Sequence, residues 1–163
     1  DHGLSMPRRL QIEFSQVIQK IADESGKEIS PSDIWENFQE TYLNESGKYE
    51  FIKHNIKSSS NQDGTQSDKI NIGIKDKSKI IEIQGSGNGP IDAMIDAIKS
   101  DLKLDIKISD YHQHAISSGS DAKAVAYSEL ILGDKSIWGV GIHQNTVIAG
   151  LQSVISGLNR LSK

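Results

Sequence analysis

The sequence predicts an α+β fold in which two β-β-β-α units follow a pair of amphipathic helices. Three observations lead there. Apolar residues recur at helical spacing through the first forty-odd positions, the period switches to two from about residue 51, and strand, strand, strand, helix then occurs twice. Short connections keep successive strands together, so two such units give antiparallel sheet covered by two helices, an α+β sandwich. Its open sheet faces and edges call for a partner.

Each element has its own signal. Leu10, Phe14, Val17, Ile18 and Ile21 form the stripe of the first helix, with Ser5 and Pro7 placed for a cap and a first turn and Gly26 for a stop. In "SPSD", Ser30 caps the second helix, Pro31 takes its first position and Asp33 falls three residues after the cap; Ile34, Phe38 and Tyr42 make its stripe. Asn44 to Glu50 reads as a linker. Strands are expected over 51–57, 69–75 and 79–84, the first two joined by a polar turn around Asp63-Gly64. A helix with Pro90 at its first position follows, burying Ile91, Met94, Ile95, Ile98 and Leu102. The second unit repeats the order over 104–116, 122–132 and 136–142. Its helix runs from about Asn145, with Val147, Leu151, Val154, Ile155, Leu158 and Leu161 facing inward.

Composition removes several function classes. With 18 basic and 22 acidic residues scattered over 163, the net charge is −4 and there is no basic stripe, so nucleic acid is not an expected partner. No apolar run reaches the ~18 residues of a membrane span, and the first residues lack a signal-peptide core. Cysteine is absent, which excludes thiolate chemistry and favours a cytoplasmic setting. The opening "DHGLSMPRR" lacks an initiator Met, so a piece of a longer chain is expected.

The segment "IIEIQGSGNGPIDAMIDAI" reads as a strand entering a glycine-rich turn and then a helix. Gly85, Gly87 and Gly89 give G-x-G-x-G, with Pro90 where a dinucleotide fingerprint needs its third glycine, and no P-loop motif occurs. A helix start nonetheless attracts a carboxylate as readily as a phosphate. The plainer reading is a tight turn that binds nothing. Asp110, His112 and His114 share a strand face and could ligate a metal, although an H-x-H on a strand is more often surface. His2 and His143 have no partner in sequence, Ser117 to Ser120 with Asp121 read as a hairpin turn, and Glu13 and Glu24 sit on polar helix positions. No catalytic constellation and no metal site emerges.

Four segments in order carry a resemblance: "MPRRLQIEFSQVIQ", "GSGNGPIDA", "DYHQHAISSGSDAKAVAY" and "WGVGIHQNTVIAGLQSVISGLNRL". Together they resemble the C-terminal part of the α-isopropylmalate synthases (2-isopropylmalate synthases), over nearly the whole chain. The resemblance implies that residues 1–45 end a helical linker subdomain and that 48–163 form a leucine-binding allosteric and dimerisation domain of two β-β-β-α units. It implies a parent enzyme that condenses acetyl-CoA with 2-oxoisovalerate in leucine biosynthesis, under feedback inhibition by leucine. The catalytic barrel with its divalent metal would lie outside these residues. The chain itself is then expected to carry no catalytic site and no cofactor, and to partner L-leucine, a second copy of itself and its own barrel.

The same resemblance assigns residues. Gly87, Asn88, Gly89, Pro90, Ile91 and Asp92 match the ligand-contacting loop, with Asp92 placed to receive an ammonium. Ile108, Tyr111 and Ala115 match pocket positions on the following strand, and Ala122 and Ala124 match small residues that close it. Alternation puts Tyr111 and Ala115 on one strand face, opposite Asp110, His112 and His114. Ile108 has the wrong parity and needs a bulge or bend to join them. Related regulators of citramalate synthases sense isoleucine, and a purely structural dimerisation module is the further alternative.

Overall fold

A computed structural model describes residues 2–44, 47–116, 119 and 121–162. Two helices, α1 (Arg8–Ser25) and α2 (Pro31–Tyr42), precede two β-β-β-α units: β1 (Tyr49–Ser60), β2 (Gln66–Asp76), β3 (Lys79–Gly87) and α3 (Pro90–Asp101), then β4 (Ile106–Ala115), β5 (Ala124–Leu132), β6 (Lys135–His143) and α4 (Thr146–Leu161). Each unit forms its own antiparallel three-stranded sheet, ordered β1-β2-β3 and β4-β5-β6. The predicted architecture is the one observed.

The units match place for place. Ile72 pairs with Ile83 and Ile70 with Gly85, as Ser128 pairs with Gly139 and Ala126 with Gly141. The first strand of each carries a bulge, between Phe51 and Lys53 in β1 and between Ile108 and Asp110 in β4. One core joins both units: Ile70, Ile72, Ile74 and Ile83 from the first sheet, Ile106 and Leu130 from the second, and the inner faces of α3 and α4. A second core holds α1 and α2 against the outer face of the second sheet, where Leu10, Phe14, Phe38 and Tyr42 meet Val125, Tyr127, Trp138 and Val140. Burying side chains of this size contributes roughly 1.5–3 kcal/mol each.

Local chemistry sets most element ends. At α2 the Asp33 amide donates to Ser30 Oγ at 3.2 Å and the Ser30 amide to Asp33 Oδ2 at 3.3 Å, the capping box that "SPSD" predicts. At α1 the expectation fails. Pro7 is the N-cap residue without a side-chain cap, and Ser5 instead donates its amide to His114 Nε2 at 3.1 Å. Tertiary contact with β4 has taken the residue that local pattern assigned to the helix.

Several strand limits also move. β1 begins at Tyr49, inside the expected linker, because Asn159 on α4 pins its backbone: Oδ1 accepts from the Tyr49 amide at 2.7 Å and Nδ2 donates to its carbonyl at 2.9 Å. Glu45 and Ser46 of that linker lie outside the described residues, as do Ser117, Ser118 and Ser120 of the expected hairpin turn. β5, whose sequence alternates around Val125, Tyr127 and Glu129, is covered more fully than alternation requires. Residues 124–130 are buried on both faces, since α4 covers one side and α1 with α2 the other.

Candidate ligand site

The glycine segment is the first correction at the site. β3 continues through Gly85 to Gly87, so only Asn88 and Gly89 form the turn. The reason is packing. A Cβ on Gly85 would run into the backbone at Ala93 and Ala97, and one on Gly87 would stand 2.7 Å from the Ala93 amide nitrogen. The glycines let α3 lie directly on the strand. In the second unit Gly141 does the same against Ala149 and Ser153. Both strands are sheet edges, and helix side chains satisfy them: the Gln84 and Ser86 amides donate to Asp101 and Asp96 at 2.8 and 2.9 Å.

α3 begins without a side-chain cap, whereas Asn145 caps α4 by accepting from the Ile148 amide at 3.0 Å. Gly89 is extended there and a Cβ on it would meet nothing. Its carbonyl accepts the Ala93 amide at 2.9 Å, and the amides of Ile91 and Asp92 have no acceptor among the described residues. Asp92 is exposed.

Ile91 points from this helix start toward α4. A Cβ on Gly150 would meet the Tyr111 hydroxyl at 2.6 Å and Ile91 Cδ1 at 2.9 Å, so those two side chains close over Gly150. Tyr111 also packs on a patch of Ala124, Ala126 and Ala149. Its hydroxyl donates to Gln113 Oε1 at 3.0 Å, and Gln113 Nε2 donates to the Thr146 carbonyl at 2.9 Å. Burial raises the Tyr111 pKa, so the phenol is a neutral donor across the physiological range.

Of the residues singled out, Ile91, Tyr111 and Ala124 therefore meet in one seam between α3, α4 and the second sheet. Ala115 pairs with Ala124 at its open end and is exposed, and Ala122 stands two residues before Ala124, outside β5. The β4 bulge supplies what Ile108 needed. Ser109 is the extra residue, so Ile108 opposite Leu130 and Tyr111 opposite Ser128 share the inner face. Ile108 nevertheless packs into the main core. Gly150, Ala126 and Ala149 were missed, although a glycine inside the strongly helical "VIAGLQ" is a cue to close packing.

The opposite face of β4 holds the histidines. His112 Nε2 lies 2.9 Å from Asp110 Oδ1, and His114 Nε2 lies 2.8 Å from the Tyr127 hydroxyl. Among the described residues no group of three His, Cys, Asp or Glu side chains could hold a metal ion, and no helix is long and apolar enough to cross a membrane. A cavity of about 210 Å³ lies elsewhere, between the end of α2, β1 and α4. Tyr42, Tyr49, Phe51 and Asn159 are among its walls, and none of the predicted site residues lines it.

Fold and site together define a duplicated α+β domain whose two helices meet over a small-residue seam. Residues 28–162 match the family model described as the LeuA allosteric (dimerisation) domain, and the chain belongs to that family. It is 43% identical over 166 residues to the 2-isopropylmalate synthase of Mycobacterium ulcerans, covering 100% of this chain and 29% of that protein. It is 40% identical over 163 residues to that of Rhodospirillum rubrum, covering 99% and 29%. The Ralstonia pickettii enzyme is 39% identical over 164 residues, covering 98% and 28%. The chain thus spans under a third of the length of these relatives.

Proposed function

We propose that this chain is the regulatory part of a 2-isopropylmalate synthase and binds L-leucine as a feedback signal. The observation that carries the reading is the seam of Ile91, Tyr111 and Ala124 over Gly150, beside the uncapped start of α3. The free first-turn amides suit the ligand's carboxylate. The alanine patch leaves room for a branched aliphatic side chain once Tyr111 and Ile91 move, and burying that side chain contributes roughly 1.5–3 kcal/mol.

Residues 48–163 would then be the sensor and dimerisation unit, and residues 1–45 the end of a linker to the barrel. Leucine would shift the arrangement of α1 and α2 and so inhibit the condensation of acetyl-CoA with 2-oxoisovalerate, which needs a coupling of about 1–3 kcal/mol. The divalent metal belongs to the barrel, in the cytoplasmic parent enzyme. This chain by itself takes no cofactor, forms a homodimer and catalyses nothing.

Calorimetric titration of the chain with L-leucine and L-isoleucine tests the reading. Saturable binding that prefers leucine supports it. A preference for isoleucine would assign the sensor to a citramalate synthase, and no binding would leave a structural dimerisation module. Ala122→Phe should remove leucine binding from a folded chain, and unchanged affinity would contradict that residue's assignment.

A further inference from the structure

Asp68 is 1% exposed, yet it has no cationic partner among the described residues. Its Oδ1 accepts from Gln66 Nε2 at 3.1 Å, and no described residue donates to Oδ2. Buried carboxylates are ordinarily paired, because desolvation without compensation is costly. Lys69, its chain neighbour, is exposed on the other face of β2.

The position of this carboxylate links it to the seam. Asp68 pairs with Ser58 on one side and Gly87 on the other, on the same inward parity as Ile70, Ile72 and Ile74. Directly paired residues hold their Cβ positions about 4.5–5.5 Å apart on one face. Where Gly87 would project a side chain, Asp92 Cβ lies at 2.8 Å and the Ala93 nitrogen at 2.7 Å. Asp68 therefore stands beside the first turn of α3, at the end of a segment whose other end is Ile91 on Gly150. In the internal repeat Asp68 holds in the first sheet the place Ala124 holds in the second. One of these matched places is apolar and the other holds a buried carboxyl group.

We infer that Asp68 receives the α-ammonium of the amino-acid ligand, so that Asp68 and the amides of Ile91 and Asp92 together read a zwitterion. The assignment rests on the ligand reading above and moves the ammonium partner from exposed Asp92 to Asp68. An ammonium supplies the missing counter-charge, and the adjacent carboxylate takes the helix start. A ligand with the same skeleton and no amino group leaves Asp68 uncompensated and binds poorly.

The test is titration of this chain and of Asp68→Asn with L-leucine and with 4-methylpentanoate, which keeps leucine's carboxylate and branched chain but has no ammonium. The substitution should weaken L-leucine by about 30-fold or more while moving 4-methylpentanoate by no more than about threefold. Far-UV circular dichroism checks the fold, and Asp68→Ser replaces the variant if Asn does not fold. Equal losses for both ligands would make Asp68 a structural counter-charge to α3 and overturn the inference. Unchanged L-leucine affinity in a folded variant would overturn it and leave the leucine reading standing. Failure of the unsubstituted chain to bind leucine would overturn both.

Discussion

At Gly85 and Gly141 the backbone of a helix occupies the space where a side chain would begin, so these positions tolerate nothing larger than hydrogen. Gly85→Ala should cost about 1–3 kcal/mol, the usual penalty of overpacking, whereas Gly89→Ala should stay within about 0.5 kcal/mol. Urea unfolding midpoints measure both. Gly150→Ala differs, because its neighbours are the flexible ends of Tyr111 and Ile91. That variant should fold normally and lose leucine affinity. Three tyrosines set an alkaline limit. Burial raises the pKa of Tyr42, with Glu13 adding to the effect, and burial raises Tyr111; Tyr127 is pushed up to about 12 by burial, against the lowering hydrogen bond from the Ser5 amide. Above pH about 10 the unfolded chain releases phenol protons that the folded chain keeps, so this stabilisation is complete below pH 10 and lost as pH rises toward 12. Tyr127→Phe should flatten that fall in denaturant midpoints measured across the interval.

Among elements, the fastening of α1 and α2 to the second unit is the feature with mechanical consequence. Glu13 on α1 accepts from Arg160 of α4, from the Tyr42 hydroxyl of α2 at 2.8 Å and from the Trp138 amide of β6 at 3.2 Å. Four elements thus meet at one largely buried carboxylate, and Glu13→Ala should cost about 3 kcal/mol by leaving Arg160 unpaired. Glu129 makes a second node: Ser109, the bulge residue of β4, donates to it at 2.7 Å, and Arg9 pairs with it from α1. Arg9 is 59% exposed but Glu129 only 8%, so Arg9→Ala, which strips a buried carboxylate of its cation, should cost about 1–3 kcal/mol. Local signals were legible at this scale. "SPSD" specified its capping box, and the parity conflict of Ile108 foretold the bulge. Strand limits were not, because Asn159 and α3 fix them from a distance, and the inward carboxylate of Asp68 stood one residue outside the strand that alternation marked. The seam was half legible. Tyr111 and Ala124 came from resemblance to a family, while Gly150 acts only because α3 crosses it.

At the scale of the molecule, the duplication sets two helices on one core and gives their starts different chemistry. α4 is closed by Asn145, and α3 is left open beside Tyr111 and Asp68. A ligand that displaces Tyr111 and Ile91 from Gly150 would act on one unit of this duplicated frame and leave its counterpart closed. Thermal unfolding of this chain with L-leucine, set beside L-isoleucine, L-valine and D-leucine, reads out such binding. A ligand at a hundred times its dissociation constant adds about 2.7 kcal/mol to native stability, which for a chain of this size raises the midpoint by about 5–10 °C. That shift is expected for L-leucine, and smaller ones for the other three. A midpoint unmoved by any of the four amino acids would contradict the leucine reading.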